Sequence, residues 1–130
     1  MKYYYVKSYC ENKNIKEATK IYISHIKAFN NFHEPDGRKS NINDFLEKFN
    51  LLIDNIKICN NLNKTIIPIS TTGIPIDGAH RIAIALYLKL NVSYAVFDLL
   101  DGKYDYSFFL ERGMPYEYIH KIKEIYKEYI

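Results

Sequence analysis

The chain has 130 residues, of which 48% are hydrophobic and 25% charged, and its formal net charge is +3 at pH 7. These values are typical of one globular domain with a real hydrophobic core. No run approaches the roughly 20 consecutive apolar residues of a membrane span, and the residues after Met1 lack the apolar core of a secretory signal, so we expect a cytoplasmic protein. The mild, dispersed charge does not favour a surface that binds duplex DNA.

Two residue types narrow the function classes further. Cys10 and Cys59 are too few and too far apart for a disulfide scaffold or a zinc site, so we expect reduced, packed thiols. The 13 tyrosines can stack on nucleic-acid bases, but their spacing favours packing in the core.

The first half of the chain predicts two amphipathic helices joined by a polar loop. Apolar residues recur at helical spacing from about Lys13 to Asn30. The segment from Asn31 to Ser40 is polar and contains Pro and Gly, which is typical of a loop. Asn41 or Asn43 can cap the second helix. Its apolar stripe consists of Ile42, Phe45, Phe49, Leu52, Ile53 and Ile56.

The next segment predicts short strands around a third helix. The β-branched run from Thr65 to Ser70 indicates a strand, Thr71 to Gly73 a hairpin-like turn, and Ile74 to Ile76 a second short strand. A helix from about Ala79 to Leu88 follows. Val92 to Asp98 then has the pattern of a buried strand.

The C-terminal part predicts a closing helix. The segment from Tyr106 to Leu110 fits either a strand or a short helix. Pro115 suits a first helical position, and apolar residues recur at helical spacing from there to Tyr129. Together the elements predict a single α/β (α+β) domain over residues 1–130, with helices packed around a small mixed sheet.

The segment from Asp77 to Arg81 is the strongest candidate for a functional site, because it lies where a strand ends and a helix begins. Unpaired N–H groups and the helix dipole favour an anion there. Gly78 allows close backbone approach, while His80 and Arg81 add donors that suit phosphate. Asp77 and Gly78 are also ordinary turn and capping residues, so a purely structural role stays open. Two potentially cationic side chains oppose the dipole at a helix start, which favours the anion-binding interpretation.

The strand, the segment Asp77-Gly78-Ala79-His80-Arg81, the apolar helix and the following strand resemble the nucleotide-handling motif of the ParB/sulfiredoxin superfamily. The likeness is greatest to its free-serine-kinase-like branch, in which an Asp-Gly-x-His-Arg segment opens a helix. The pair His33-Glu34 resembles a second element of those kinases. The similarity covers roughly Phe32 to Asp98.

This resemblance implies a ParB/sulfiredoxin-like fold and a kinase that uses ATP or ADP with Mg²⁺. By analogy, Gly78, Ala79, His80 and Arg81 hold the nucleotide phosphates. Asp77 assists the phosphoryl-transfer centre and contacts the magnesium ion, which prefers carboxylate oxygens. The expected acceptor is a hydroxyl group of a small metabolite such as a hydroxy amino acid, an amino alcohol or a sugar.

The loop between the first two predicted helices supplies the remaining candidates. Glu34 matches the base that takes the proton of the acceptor hydroxyl, although a solvated loop acid is the alternative interpretation. We predict that His33, Asp36, Arg38 and Lys39 bind the acceptor, with Lys39 also suited to phosphate.

The chain departs from two branches of the superfamily. Ala79 stands where sulfiredoxins have a cysteine, so sulfinic-acid reduction is not expected. Chromosome-partitioning members bind CTP through a Gly-Glu-Arg-Arg type segment, whereas this chain has His80 in the corresponding segment. The alternative to a kinase is a nucleotide-binding regulatory module that acts with a protein partner or as a homo-oligomer, and a ParB-like DNA-binding protein or nuclease is the least favoured interpretation. Neither nucleic acid nor a membrane is expected as a partner.

Overall fold

The computed structural model describes residues 1–99, 102 and 104–129. These residues form six helices and a two-stranded parallel sheet, a small α+β fold. In chain order the elements are α1 (Lys2–Glu11), α2 (Ile15–Asn30), α3 (Ile42–Cys59), β1 (Ile66–Ser70), α4 (Ala79–Leu88), β2 (Ser93–Phe97), α5 (Tyr106–Glu111) and α6 (Tyr116–Tyr129). The described helices do not combine the length and hydropathy that crossing a bilayer requires.

Most predicted helices are confirmed, and their caps explain the boundaries. Asn41, not Asn43, caps α3, because its side chain accepts a hydrogen bond from the Asp44 N–H at 3.0 Å. The third predicted helix is confirmed as α4. The ambiguous segment from Tyr106 is helix α5, and the Asp105 carboxylate caps it by accepting from the Phe108 N–H at 3.1 Å.

Helix α1 is an element that the sequence did not predict. Tyr3, Tyr4, Tyr5 and Val6 follow one another without helical spacing, and aromatic runs favour strands as readily as helices. The segment packs against α2 and α4, and three of the four side chains are buried. Tertiary packing therefore determines its conformation.

Two strand predictions need correction. The segment from Ile74 to Ile76 makes one isolated antiparallel bridge, between Ile69 and Pro75, and is not a strand. Pro75 has no N–H group to continue a ladder. The strand from Val92 to Asp98 is confirmed as β2, parallel to β1, but it is not buried: Tyr94 is 65% and Val96 57% exposed.

The core that supports the β1–α4 connection is aromatic. The rings of Tyr5, Tyr22 and Phe49 lie 5.0 to 5.2 Å apart between centroids. The Tyr5 hydroxyl donates to Asn50 Oδ1 at 2.6 Å, which satisfies its polar end. The predicted core role therefore holds for these tyrosines.

Other tyrosines and one cysteine differ from the prediction. Tyr94, Tyr116 and Tyr126 are exposed. Both cysteines are free thiols, as predicted, but Cys59 is exposed and not packed. Helical spacing alone cannot show which of several apolar stripes finds a partner.

Candidate functional site

A cavity of about 300 Å³ lies between the start of α4, the middle of α3 and the end of the 31–40 loop. We call it the basic cavity, because three cationic side chains and one carboxylate are on its wall. Its lining residues are Lys39, Phe45, Lys48, Phe49, Leu52, Asp77, Gly78, His80 and Arg81. The excess of positive charge favours an anionic ligand.

The start of α4 leaves backbone donors at this cavity. Gly78 is the N-cap, with φ of 83°, and no side chain caps the helix. The first helical bond runs from the Ile82 N–H to the Gly78 carbonyl at 3.0 Å. Among the described residues, the N–H groups of Ala79, His80 and Arg81 have no hydrogen-bond partner. Such groups bind the oxygens of an anion well.

Gly78 is required for two separate reasons. Residues other than glycine rarely adopt its positive φ. A Cβ here would also lie 2.7 Å from Ile67 Cδ1 and 3.0 Å from Arg81 Nη2. Ile67 is buried in close-packed surroundings, so a larger residue would have to displace the Ile67 methyl group, the Arg81 guanidinium or both.

We expect Gly78→Ala to destabilise the protein by about 2–5 kcal/mol, the sum of a left-handed strain of about 1–2 and an overpacking cost of about 1–3 kcal/mol. Gly73→Ala is the matched control, because Gly73 has φ of 87° but nothing within 4 Å of the added methyl group. It should show the strain cost alone. Urea unfolding of both variants measures the difference, and equal losses of stability would contradict the packing argument.

Arg81 is held loosely enough to accept a ligand. Its Nη2 lies 3.8 Å from Asp77 Oδ2, and the Asp77 side chain is 80% exposed. An ion pair at this distance with one well-exposed partner contributes little to stability. The guanidinium therefore remains available for a doubly hydrogen-bonded contact with phosphate or carboxylate.

The 31–40 loop folds against α3 and brings two predicted residues to the cavity. Lys39 Nζ lies 3.3 Å from Glu34 Oε1, and both side chains are less than a third exposed. The Lys39 ammonium also lies 4.8 Å from the centre of the Phe45 ring. The Lys48 ammonium donates to the Arg38 carbonyl, which ties the loop to α3. A carboxylate thus lies next to the cationic wall.

His80 is neutral and fixed in the aromatic core. Burial lowers its pKa well below the usual value, and the charges of Lys2 and Lys39 lower it further. Its Nε2 lies 2.8 Å from the Tyr22 hydroxyl, and its ring packs edge-on at 4.6 Å from Phe49. Of the two side chains expected to oppose the dipole of α4, only Arg81 carries a charge.

The structure brings together only part of the predicted set. On the wall of the basic cavity are Lys39, Asp77, Gly78, His80 and Arg81, and Glu34 joins them through its ion pair. Ala79 lines a second cavity on the other side of the α4 start. Asp36 and Arg38 pair with each other at 3.6 Å on the exposed loop, and His33 is exposed beside them.

Sequence reasoning missed Lys48 and Tyr22. Lys48 follows Phe45 by three positions, so it borders the apolar stripe of α3, and this spacing was a usable signal. Tyr22 lies on the apolar stripe of α2, where nothing distinguishes it from an ordinary core residue.

Comparisons with known proteins add no relative: no family model matches the chain, and no curated protein or solved structure matches it either. The resemblance to the ParB/sulfiredoxin superfamily stays a prediction.

Proposed function

We propose that this protein is a small-molecule kinase that transfers a phosphoryl group from ATP or ADP to a hydroxyl group of a small metabolite. A hydroxy amino acid, an amino alcohol or a sugar is the proposed acceptor class. The observation that carries the proposal is the Glu34–Lys39 ion pair beside the Asp77–Arg81 turn, because it joins a carboxylate base to an anion site from a distant part of the chain. Phosphoryl transfer needs both.

The nucleotide phosphates would bind at the start of α4. His80 and Arg81 on the cavity wall supply backbone N–H donors together with the adjoining Ala79, and the side chains of Lys39 and Arg81 supply charge. These groups neutralise the oxygens around the transferred phosphorus without having to move far. The ParB/sulfiredoxin-like motif that the sequence resembles assigns the same segment to phosphate.

Asp77 is the residue that fits a magnesium ion. Among the described residues, no group of three His, Cys, Asp or Glu side chains can hold a metal. Mg²⁺ usually takes one or two carboxylates and completes its shell with substrate phosphates and water, so a single exposed carboxylate beside the anion site is sufficient. When bound, the ion would neutralise charge on the phosphate oxygens.

Glu34 would act as the base. Its carboxylate takes the proton of the acceptor hydroxyl while the hydroxyl oxygen bonds to phosphorus, and the bond between phosphorus and the nucleotide oxygen breaks. Lys39 holds the Glu34 carboxylate in place through their ion pair. His33, Asp36 and Arg38 remain proposed acceptor contacts on the same loop.

We place this activity in the cytoplasm. Cys10 and Cys59 are both free, as is usual for thiols in a reducing compartment. The partners are then the nucleotide and the small hydroxyl acceptor.

The proposed activity is tested by ³¹P NMR of ATP or ADP with Mg²⁺ and a panel of serine, threonine, ethanolamine, choline, glycerol and simple sugars. We expect a new phosphate monoester resonance with one acceptor class and equimolar loss of the terminal nucleotide phosphate. Absence of any monoester across the panel, together with undetectable nucleotide binding, would exclude the kinase.

A second candidate is a nucleotide-responsive module that binds a protein partner. The observation that favours it is the exposed strand β2, because the strands of parallel sheets are usually covered on both faces. The segment Val92–Phe97 carries no charge, and its edge exposes Tyr94, Val96 and Phe97. Such a surface suits pairing with another chain.

If the sheet is an interface between copies, we expect Val96→Lys to weaken self-association by roughly tenfold or more, because two like charges would meet there. Leu51→Lys is the control, since Leu51 is equally exposed but lies on α3. Sedimentation velocity over a range of concentrations measures the effect. A wild-type monomer at every concentration would argue against this function.

A further inference from the structure

A second cavity that the described residues form is separate from the basic cavity. It has a volume of about 550 Å³ and lies between α1, α4, α5 and α6. Ala79 lines it, whereas Gly78 and His80 line the basic cavity, so the first turn of α4 divides the two. This volume suits a small organic ligand, for which sites of about 300–1,000 Å³ are usual.

Most of the wall is apolar. Aliphatic and aromatic side chains from four helices form it, among them Tyr3, Ile82, Phe109, Ile122 and Tyr126. Leu86 and Tyr126 are about half exposed, which leaves the cavity open to a ligand on that side. The body of a ligand that fits here is therefore aliphatic or aromatic.

One end of the cavity carries a partly buried cation. Lys2 is on the wall, and its Nζ lies 2.7 Å from His25 Nε2. Among the described residues, no carboxylate forms an ion pair with Lys2. Burial and, to a smaller extent, the Lys39 charge lower the Lys2 pKa to about 8, while the Glu34 charge opposes the shift. Lys2 is therefore still mainly an ammonium at pH 7, and a charge that is partly removed from water without an ion-pair partner is costly.

His25 leaves no free hydrogen-bond acceptor for a ligand at this end. Burial lowers its pKa well below the usual value, so the ring is neutral. Because an ammonium can only donate, His25 Nε2 accepts from Lys2 and the ring proton lies on Nδ1, which has no partner among the described residues. The other charged group on the wall, Asp105, is engaged as the cap of α5. The charged group that this end offers to a ligand is therefore the Lys2 ammonium, which is a donor.

We infer that this cavity binds a small monocarboxylate with an aliphatic or aromatic body, its carboxylate against the Lys2 ammonium and its body between α4 and α6. A single cation compensates a single negative charge, whereas a phosphate dianion would enter an apolar cavity with one charge unpaired. The inference does not depend on the kinase proposal, because it concerns different residues.

The chain has no tryptophan, so Tyr126→Trp places one fluorophore on the cavity wall. Titrations in this background use octanoate, 1-octanol and octylamine, which share the same chain and differ in the head group. We expect octanoate to bind most tightly. Lys2→Met should weaken octanoate binding by about tenfold to a hundredfold and change octanol binding by less than about twofold.

A pH titration provides a second test that keeps Lys2 in place. Octanoate affinity should fall as pH rises through about 8, because Lys2 loses its proton. The titratable groups that interact with Lys2 are the Met1 amine, His25, Glu34, Lys39 and His80. The pKa values of His25 and His80 are lowered and that of the Met1 amine is about 5, so these three groups remain neutral between pH 7 and 9.

The inference is overturned if octanol binds as tightly as octanoate, if affinity is unchanged between pH 7 and 9, or if none of the three probes binds. Circular dichroism checks that Lys2→Met is folded, and the pH titration decides the matter if it is not. Arg81→Ala in the same background should retain octanoate binding. A loss of nucleotide binding alone therefore tests the kinase proposal and leaves this one standing.

Discussion

Replacing Glu34 by glutamine is expected to lower turnover by about 10²–10⁴-fold while nucleotide affinity changes little. The amide cannot take the proton of an acceptor hydroxyl. It retains the size of the carboxylate and can still accept a hydrogen bond from Lys39, whose Nζ lies 3.3 Å from Glu34 Oε1. The measurement is the rate of monoester formation at saturating ATP or ADP, together with the nucleotide dissociation constant.

Glu47→Gln is the matched control for this prediction. Glu47 is an exposed carboxylate on α3, between the cavity residues Phe45 and Lys48, but it is not on the cavity wall. The control should keep full activity. Equal losses in both variants would indicate a general electrostatic effect, and full activity of Glu34→Gln would remove the base from the proposed mechanism.

Replacing Arg81 by alanine is expected to weaken ATP or ADP binding roughly 10- to 150-fold, since charge-assisted hydrogen bonds contribute about 1.5–3 kcal/mol. The fold should be retained, because the contact of Arg81 with the exposed Asp77 carboxylate contributes little to stability. Calorimetric titration with nucleotide and Mg²⁺ measures the loss, and thermal unfolding checks the fold.

Arg38→Ala controls for the loss of one positive charge. The Arg38 side chain is 80% exposed and pairs with Asp36 outside the basic cavity. Nucleotide affinity should be almost unchanged in this variant. If Arg81→Ala binds nucleotide as the wild type does, or unfolds, Arg81 is a structural residue and the anion site at α4 is wrong.

The α4 start was predictable because local signals agree there. A β-branched run, a Pro- and Gly-containing turn and an apolar helix follow one another, and each has its own sequence signature. The structure confirms the helix from Ala79 to Leu88 and the strand from Ile66 to Ser70.

The environment of the site was not predictable in the same way. The neutral state of His80 depends on Phe49 from α3, on Tyr22 from α2 and on the nearby charges of Lys2 and Lys39. None of these lies near His80 in sequence. The sequence indicates two cationic side chains at the start of α4, His80 and Arg81. Tertiary packing keeps His80 neutral, so only Arg81 is charged.

The sequence did not predict the second cavity, because residues of α1 form part of its wall and α1 itself was not predicted. Lys2 belongs to an aromatic segment without helical periodicity, so neither its helix nor its burial could be inferred. Likewise, β2 has the apolar pattern of a buried strand, and the structure exposes it. Periodicity describes a strand or helix, but not what covers it.

The central claim is that nucleotide phosphates bind at the start of α4, and amide NMR of isotope-labelled protein tests it most directly. On titration with ATP or ADP and Mg²⁺, we expect the Ala79, His80 and Arg81 amide resonances to shift most, with smaller shifts for CTP. A stronger response to CTP would favour the regulatory module. Absence of shifts at these three amides, or shifts confined to the cavity between α1 and α6, would contradict the proposed site.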